Sequence, residues 1–182
     1  MTNADFYLED LRTKFAKIKP DEYYLAYSGG RDSHLIYWFM KEYAPEYNNI
    51  PIIAVNTYME HPEIRKRMYD NADKVLLPTM KPFEIKEKYG IPCFTKIQDE
   101  MIDRYQCGLR TPSTMQFIMG TKNGGKTMFK LSNKARELLL DGKLHKISAK
   151  CCTKLKKEPM KIYQKETGRK PILRCKRGWR TK

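Results

Sequence analysis

The sequence predicts an α/β fold, a doubly wound parallel sheet of the Rossmann-like kind. Three observations carry that reading. Short apolar runs at Tyr23–Tyr27, Ile50–Val55 and Lys74–Leu77 alternate with helical patterns within the first 90 residues, the signature of a parallel sheet. The second run is almost wholly apolar, which suits a strand buried on both faces. The first run stops abruptly at Ser28-Gly29-Gly30 and is followed by Leu35-Ile36-Tyr37-Trp38-Phe39-Met40, so it reads strand, glycine turn, helix. Crossovers of one hand then bring the strand ends to one edge, where such sheets bind ligands.

The elements follow in order. Phe6, Leu8, Leu11, Phe15 and Ile18 recur at near-helical spacing from Asp5 to Lys19, and Pro20 stops them. After the glycine turn a helix runs to about Tyr43, and Pro45 with Asn48-Asn49 marks a loop. Beyond Val55 the chain reads Asn56-Thr57-Tyr58-Met59-Glu60-His61-Pro62-Glu63, with Pro62 and Glu63 opening a helix over Ile64–Ala72. His61 is read as either an acid–base group or a packing residue. Pro82–Tyr89 is a helix ended by Gly90, and Asp99–Cys107 is another. Cys93 is expected to be a buried small residue. Arg110 follows in a turn, a weaker anion-binding candidate. A helix starts at Ser132 or Asn133 and is capped by Gly142; Leu144–Ser148 is a candidate strand.

The turn Ser28-Gly29-Gly30-Arg31-Asp32-Ser33 has the chemistry of a phosphate cradle. Its glycines permit positive φ and close approach of backbone to a ligand. The helix behind it points free N–H groups at an anion, Ser28 and Ser33 add hydroxyls, and Arg31 adds charge. A second stretch, Gly120-Thr121-Lys122-Asn123-Gly124-Gly125-Lys126-Thr127, fits the Walker pattern Gly-x-x-x-x-Gly-Lys-Ser/Thr. Its context is wrong, because Met128-Phe129-Lys130-Leu131 separates Thr127 from the next helix, and it reads as a polar loop.

Composition bounds the rest. The 182 residues, 41% hydrophobic with 12 tyrosines, suffice for one domain with a full core. The expected organisation is one domain over residues 1–172 and a basic tail over 173–182. No apolar stretch is long enough to span a bilayer, so no membrane partner is expected. Five cysteines, an odd number, and a start at Met1–Asp5 without secretory character give the expectation of a reducing cytosol. The net charge is +15, and Lys143–Lys182 holds 15 Lys or Arg against Glu158 and Glu166. Such an end suits a polyanion: nucleic acid, an anionic nucleotide or an acidic partner.

Four stretches in order resemble one family. Ser28–Ser33 is similar to the SGGxDS signature of the PP-loop adenine-nucleotide-binding superfamily (the adenine nucleotide alpha-hydrolase-like fold), and most closely its phosphoadenosine phosphosulfate (PAPS) reductase branch. Asn56-Thr57 with Glu60-His61-Pro62-Glu63 resembles the family's strand-end segment, except that Asn56 replaces an Asp and Tyr58 a Gly. Gly90-Ile91-Pro92 leading to Thr95-Lys96 resembles a third segment. Cys151-Cys152-Thr153-Lys154-Leu155-Lys156 resembles the fourth, Cys-Cys-x-x-Leu/Arg-Lys, ahead of a helix and a Lys-Pro-Ile strand. The likeness covers about Tyr23 to Ile172. The chain lacks the family's Glu-Cys-Gly-x-His segment and its second cysteine pair, and looks C-terminally truncated beside it.

The resemblance implies a small-molecule partner, an adenine nucleotide: ATP, or the sulfonucleotides PAPS or APS. Its phosphates would lie at Ser28, Gly29, Gly30, Arg31, Asp32 and Ser33, its adenosine near Asn56 and Thr57, and its anionic end near Lys96. The implied chemistry is reductive sulfite release, or α–β cleavage of ATP to adenylate a substrate, which would need Mg²⁺. The alternative is a non-catalytic nucleotide- or nucleic-acid-binding module with a basic surface. Cys151, Cys152 and Cys175 would make at most an incomplete iron–sulfur or zinc site, because a cluster takes four thiolates, and no complete cluster is expected. The catalytic residues, the oligomeric state and the acceptor substrate are not readable from the sequence.

Overall fold

A computed structural model describes residues 3–122, 124–128 and 130–172. The chain divides into two compact units, Met1–Pro78 with Glu158–Lys182, and Thr79–Lys157. In chain order the first unit contributes α1 (Asn3–Phe15), β1 (Tyr23–Tyr27), α2 (Arg31–Trp38), β2 (Ile52–Val55), α3 (Pro62–Asn71) and β3 (Lys74–Leu76). The second contributes α4 (Pro82–Tyr89), α5 (Lys96–Gln106), α6 (Pro112–Met119), β4 (Thr121–Lys122), β5 (Gly125–Lys126), α7 (Asn133–Leu140) and α8 (Lys150–Cys152). The first unit then resumes with α9 (Glu158–Thr167) and β6 (Lys170–Ile172).

The first unit is α/β. Its sheet has four strands in the order β3-β2-β1-β6, and every pairing is parallel. Leu25 of β1 lies opposite Ile52 of β2 on one side and Ile172 of β6 on the other. Alternation along β1 sends residues to opposite faces. Leu25 and Tyr27 pack with Phe15 of α1, Met68 of α3, and Phe39 and Met40 of the π turn Phe39–Tyr43 that prolongs α2. Tyr24 and Ile53 pack the other way, on Tyr163 and Met160 of α9. Helices therefore cover both faces, and all four residues of β2 are buried, as its continuous apolarity requires. Each fully buried aliphatic or aromatic side chain of this core contributes about 1.5–3 kcal/mol.

Strand order sets one edge of the sheet apart. From β1 the chain moves outward to β2 and β3, whereas β6 lies on the other side of β1. The order reverses beside β1, and open α/β sheets bind ligands at the carboxyl ends of strands at such a reversal.

The second unit has its own core, with Ile102 of α5, Ile118 of α6, Ala135 and Leu139 of α7, Leu131 and Ile147. Several expectations are corrected here. Gly120–Thr127 is not a plain loop: β4 and β5 pair antiparallel, Thr121 opposite Lys126. Helix α6 has no expected counterpart. Leu144–Ser148 forms no strand; Ile147 makes one isolated parallel bridge to Ile91, and the Cys93 N–H, the next that would pair across, donates to Asp99 instead. Helix α5 begins three residues before Asp99, because Thr95 caps it and forms a reciprocal box with Gln98. In the first unit α1 ends at Phe15, short of Lys19. Pro20 holds the residue before it extended (Lys19 φ −91°, ψ 117°), and the chain unwinds ahead of it.

Candidate functional site

The glycine turn lies directly after β1, level with the carboxyl ends of β2 and β3. Its two glycines do different things. Gly29 has φ 69°, and a Cβ there would stand 2.9 Å from the Ile64 carbonyl oxygen and 3.0 Å from Ile64 Cγ2 and Met68 Cγ. The close approach at Gly29 is thus to α3, not to a ligand. Gly30 has φ −76° and ψ 163°, which any residue adopts, and caps α2. A Cβ on Gly30 would meet only the Ser28 hydroxyl, at 3.4 Å. Gly30 is the bare position that leaves room above the turn.

Hydroxyls tie the turn together. Ser33 Oγ accepts from the Ser28 N–H at 3.2 Å, lies 3.1 Å from Ser28 Oγ, and donates to the Gly30 carbonyl at 3.0 Å. Ser28 is exposed and Ser33 half-buried, so both hydroxyls stand at the mouth of the turn. The Arg31 side chain is 98% exposed and lies 4.0 Å from Asp32. The first N–H groups of α2 point into this turn, as at any helix start.

Sequence reasoning missed two supports. Arg67 of α3 donates to the Gly29 carbonyl at 3.2 Å. His34 Nδ1 lies 2.9 Å from the Tyr27 hydroxyl, its ring stacks on Tyr37, and Asn71 also donates to that hydroxyl. Burial pushes the Tyr27 phenol up, and Arg67 and the Asn71 bond pull against it. No local signal marks Arg67: its place three positions after Ile64 matters only once Gly29 packs against α3, a contact between stretches far apart in the chain.

The segment after β2 is closed on itself. Asn56 is buried; its Oδ1 accepts from the Tyr58 N–H at 2.9 Å and its Nδ2 donates to Tyr69 at 3.1 Å. Tyr58 has φ 66°, a left-handed conformation, and no other non-glycine residue has a positive φ among the described residues. A left-handed tyrosine costs about 1–2 kcal/mol, and the Asn56 carbonyl offsets part of it by holding the Tyr58 N–H. Thr57 donates its N–H and hydroxyl to the Glu60 carboxylate, the hydroxyl at 2.6 Å. Asn56 and Thr57 therefore shape the rim through side chains already bonded within the loop. His61 is exposed and caps α3 by accepting from the Glu63 N–H, so it is not a packing residue.

The structure brings Ser28–Ser33, Asn56 and Thr57 to one edge of the first unit. Lys96, Cys151 and Cys152 belong to the second. Lys96 is the exposed first residue of α5. Cys151 and Cys152 are half-buried in α8, Cys175 lies outside the described residues, and no three His, Cys, Asp or Glu side chains converge on a metal position among the described residues. Cys93 is exposed rather than buried. In the Walker-like stretch Gly120 is the left-handed cap of α6, the hairpin follows, and α7 starts only after its Ser132 cap.

No helix among the described residues is long and apolar enough to cross a membrane. The chain matches no family model, no curated protein and no solved structure.

Proposed function

We propose that the chain is an adenine-nucleotide-binding protein of the PP-loop type, similar to the PAPS reductases, with Ser28–Ser33 as its phosphate cradle. One observation carries the reading: a hydroxyl-lined glycine turn sits at the carboxyl end of β1, where the strand order reverses and α2 begins. Gly30 leaves the approach open, Ser28 and Ser33 offer hydroxyls, Arg31 offers charge, and Arg67 fixes the backbone beneath. Asn56 and Thr57 form the neighbouring rim.

Two reactions fit that cradle. One is cleavage of ATP between the α and β phosphates, adenylating an acceptor. Mg²⁺ typically takes one or two carboxylates and its remaining ligands from phosphates and water, and Asp32, the carboxylate of the turn, fits that requirement. The ion would neutralise charge developing on the leaving pyrophosphate. The other is reduction of a sulfonucleotide, which needs a cysteine nucleophile. Titration calorimetry with ATP, with and without Mg²⁺, and with PAPS tests the site. Binding of either nucleotide is expected, and pyrophosphate release from ATP selects the first reaction. A folded protein that binds neither nucleotide overturns the reading.

A binding module is the second reading, and an observation in the second unit favours it. The Lys88, Lys150 and Lys154 ammonium groups lie 5.5, 5.1 and 5.9 Å from the centre of the Tyr89 ring. An aromatic ring among cations suits a nucleic-acid backbone and base. Retention of labelled single-stranded RNA or DNA, weakening steeply with salt, without nucleotide turnover would put this reading first.

A further inference from the structure

Two exposed thiols of the second unit have opposite partners. Cys93 Sγ lies 3.1 Å from His145 Nε2. Cys107 Sγ lies 3.7 Å from the Asp103 carboxylate. A base beside a thiol assists its attack on an electrophile, whereas a carboxylate disfavours the developing anion.

The Cys93–His145 contact is held from both sides. The Cys93 and Phe94 N–H groups both donate to Oδ1 of Asp99, which is buried. Those two charge-assisted bonds fix the backbone that carries the sulfur. Opposite, Gln106 clamps the histidine's backbone: its Nε2 donates to the His145 carbonyl and its Oε1 accepts from the Ile147 N–H. The two segments are bridged directly, Ile91 donating to the Lys146 carbonyl and Lys146 Nζ to the Lys88 carbonyl. Gly90 lets them close, because a Cβ there would lie 2.0 Å from the Lys146 oxygen. Sulfur and imidazole thus face each other from paired segments and are both open to solvent.

We propose that Cys93 and His145 form a nucleophilic thiol–imidazole site whose substrates are small disulfides. The sulfur attacks one sulfur of the disulfide while its proton passes to His145 Nε2. The disulfide bond breaks, and the departing thiolate takes that proton from the imidazolium. The products are a mixed disulfide on Cys93 and one free thiol, so electrons and protons balance without a further reductant. The site is independent of the nucleotide cradle and stands if that assignment fails.

Oxidised glutathione is the probe, with the mixed disulfide at each cysteine followed by peptide mass spectrometry on the full chain. Cys93 is expected to react roughly tenfold or more faster than Cys107. His145→Ala should bring the Cys93 rate down to that of Cys107 and leave Cys107 unchanged. The His145 side chain is exposed, so the fold should survive, and circular dichroism and thermal unfolding verify it. His145→Gln, which keeps a polar side chain but supplies no base, is the second variant and should behave like His145→Ala. Equal rates at the two cysteines in the native chain, or a Cys93 rate that neither variant lowers, overturns the proposal.

Discussion

Two stretches of this chain carry phosphate-loop patterns, and they fold into different things. Ser28–Ser33 follows a buried parallel strand and runs straight into α2. Gly120–Thr127 follows a helix, folds back as the β4–β5 hairpin, and is separated from α7 by five residues, 128–132. Both contain glycines with positive φ. In the first, Gly29 uses it to lay the turn against α3, with Arg67 pinning the carbonyl. In the second, Gly120 uses it to end a helix and Gly124 to turn a hairpin, with nothing within 4 Å of a Cβ built at Gly124. A pattern of glycines and a lysine does not make an anion site. The strand before it and the helix after it do, because they fix where the N–H groups point.

The largest expected effect breaks the comparison at its packing. Gly29→Ala adds a left-handed alanine, about 1–2 kcal/mol, and forces Cβ onto Ile64 and Met68, a further cost of about 1–3 kcal/mol. Gly124→Ala has the first term only. Urea unfolding should show Gly29→Ala losing roughly 2–5 kcal/mol and Gly124→Ala no more than about 2 kcal/mol. Equal losses would mean that α3 does not support the turn.

Next in size is ligand binding. Gly30 tolerates a side chain sterically, yet a branched one fills the space above the turn. Gly30→Val is expected to weaken ATP binding by about 100-fold or more, near 2.7 kcal/mol, with little change in unfolding midpoint. Lys126→Ala in the hairpin should leave the affinity within about twofold, under 0.5 kcal/mol. Should Lys126→Ala abolish binding as fully as Gly30→Val, the Walker-like stretch would be the site and the cradle would be wrong.

The difference between the two stretches was legible in the sequence because it rests on local order. The apolar run Tyr23–Tyr27 before one and the four residues Met128–Leu131 after the other are both visible without coordinates. The α/β class was legible for the same reason, since β2 is apolar throughout and buried throughout. Two of the readings that failed depend on distant partners. Cys93 looks like a small core residue until His145, 52 positions on, lies against it. Leu144–Ser148 has a strand's composition, but the Cys93 N–H that would extend its pairing beyond Ile91 is bonded to Asp99, so no ladder forms. Of the candidate cradle, the turn at Ser28–Ser33 and its place between a strand and a helix could be read in advance, while the Arg67 and His34 supports come from tertiary packing.

A smaller effect sharpens what the hydroxyls contribute. Ser33 Oγ joins the Ser28 N–H, the Ser28 hydroxyl and the Gly30 carbonyl. Removing it costs hydrogen bonds worth about 0.5–1.5 kcal/mol each in the net, discounted because water reaches the turn. Ser33→Ala should lower stability by about 1 kcal/mol and weaken ATP binding by about tenfold, 1.4 kcal/mol. Thr127→Ala in the hairpin is the matched control and should leave ATP affinity unchanged. A Ser33→Ala protein with native affinity would reduce the serine to a loop brace.

The smallest expected effect is a dependence on alkaline pH that the first unit shows and the hairpin does not. Tyr24 and Tyr27 lie on opposite faces of β1, the strand that ends in the glycine turn, and both are almost fully buried. Burial raises each phenol above the ordinary value of 10.0; a bond from Gln164 opposes the rise at Tyr24, and Arg67 opposes it at Tyr27. An acid whose folded pKa is raised keeps its proton more tightly when folded, so the unfolded chain binds fewer protons above pH 10. The stability is fully present below about pH 10 and is lost as pH climbs through the raised folded values. Unfolding midpoints followed from pH 8 to 11.5 should therefore fall only at the alkaline end. Tyr27→Phe should flatten that fall while giving up the contacts to His34 and Asn71. Tyr24→Phe should flatten it from the other face, giving up the Gln164 bond. A slope unchanged by both substitutions would mean that these phenols ionise no later in the folded protein than in the unfolded one.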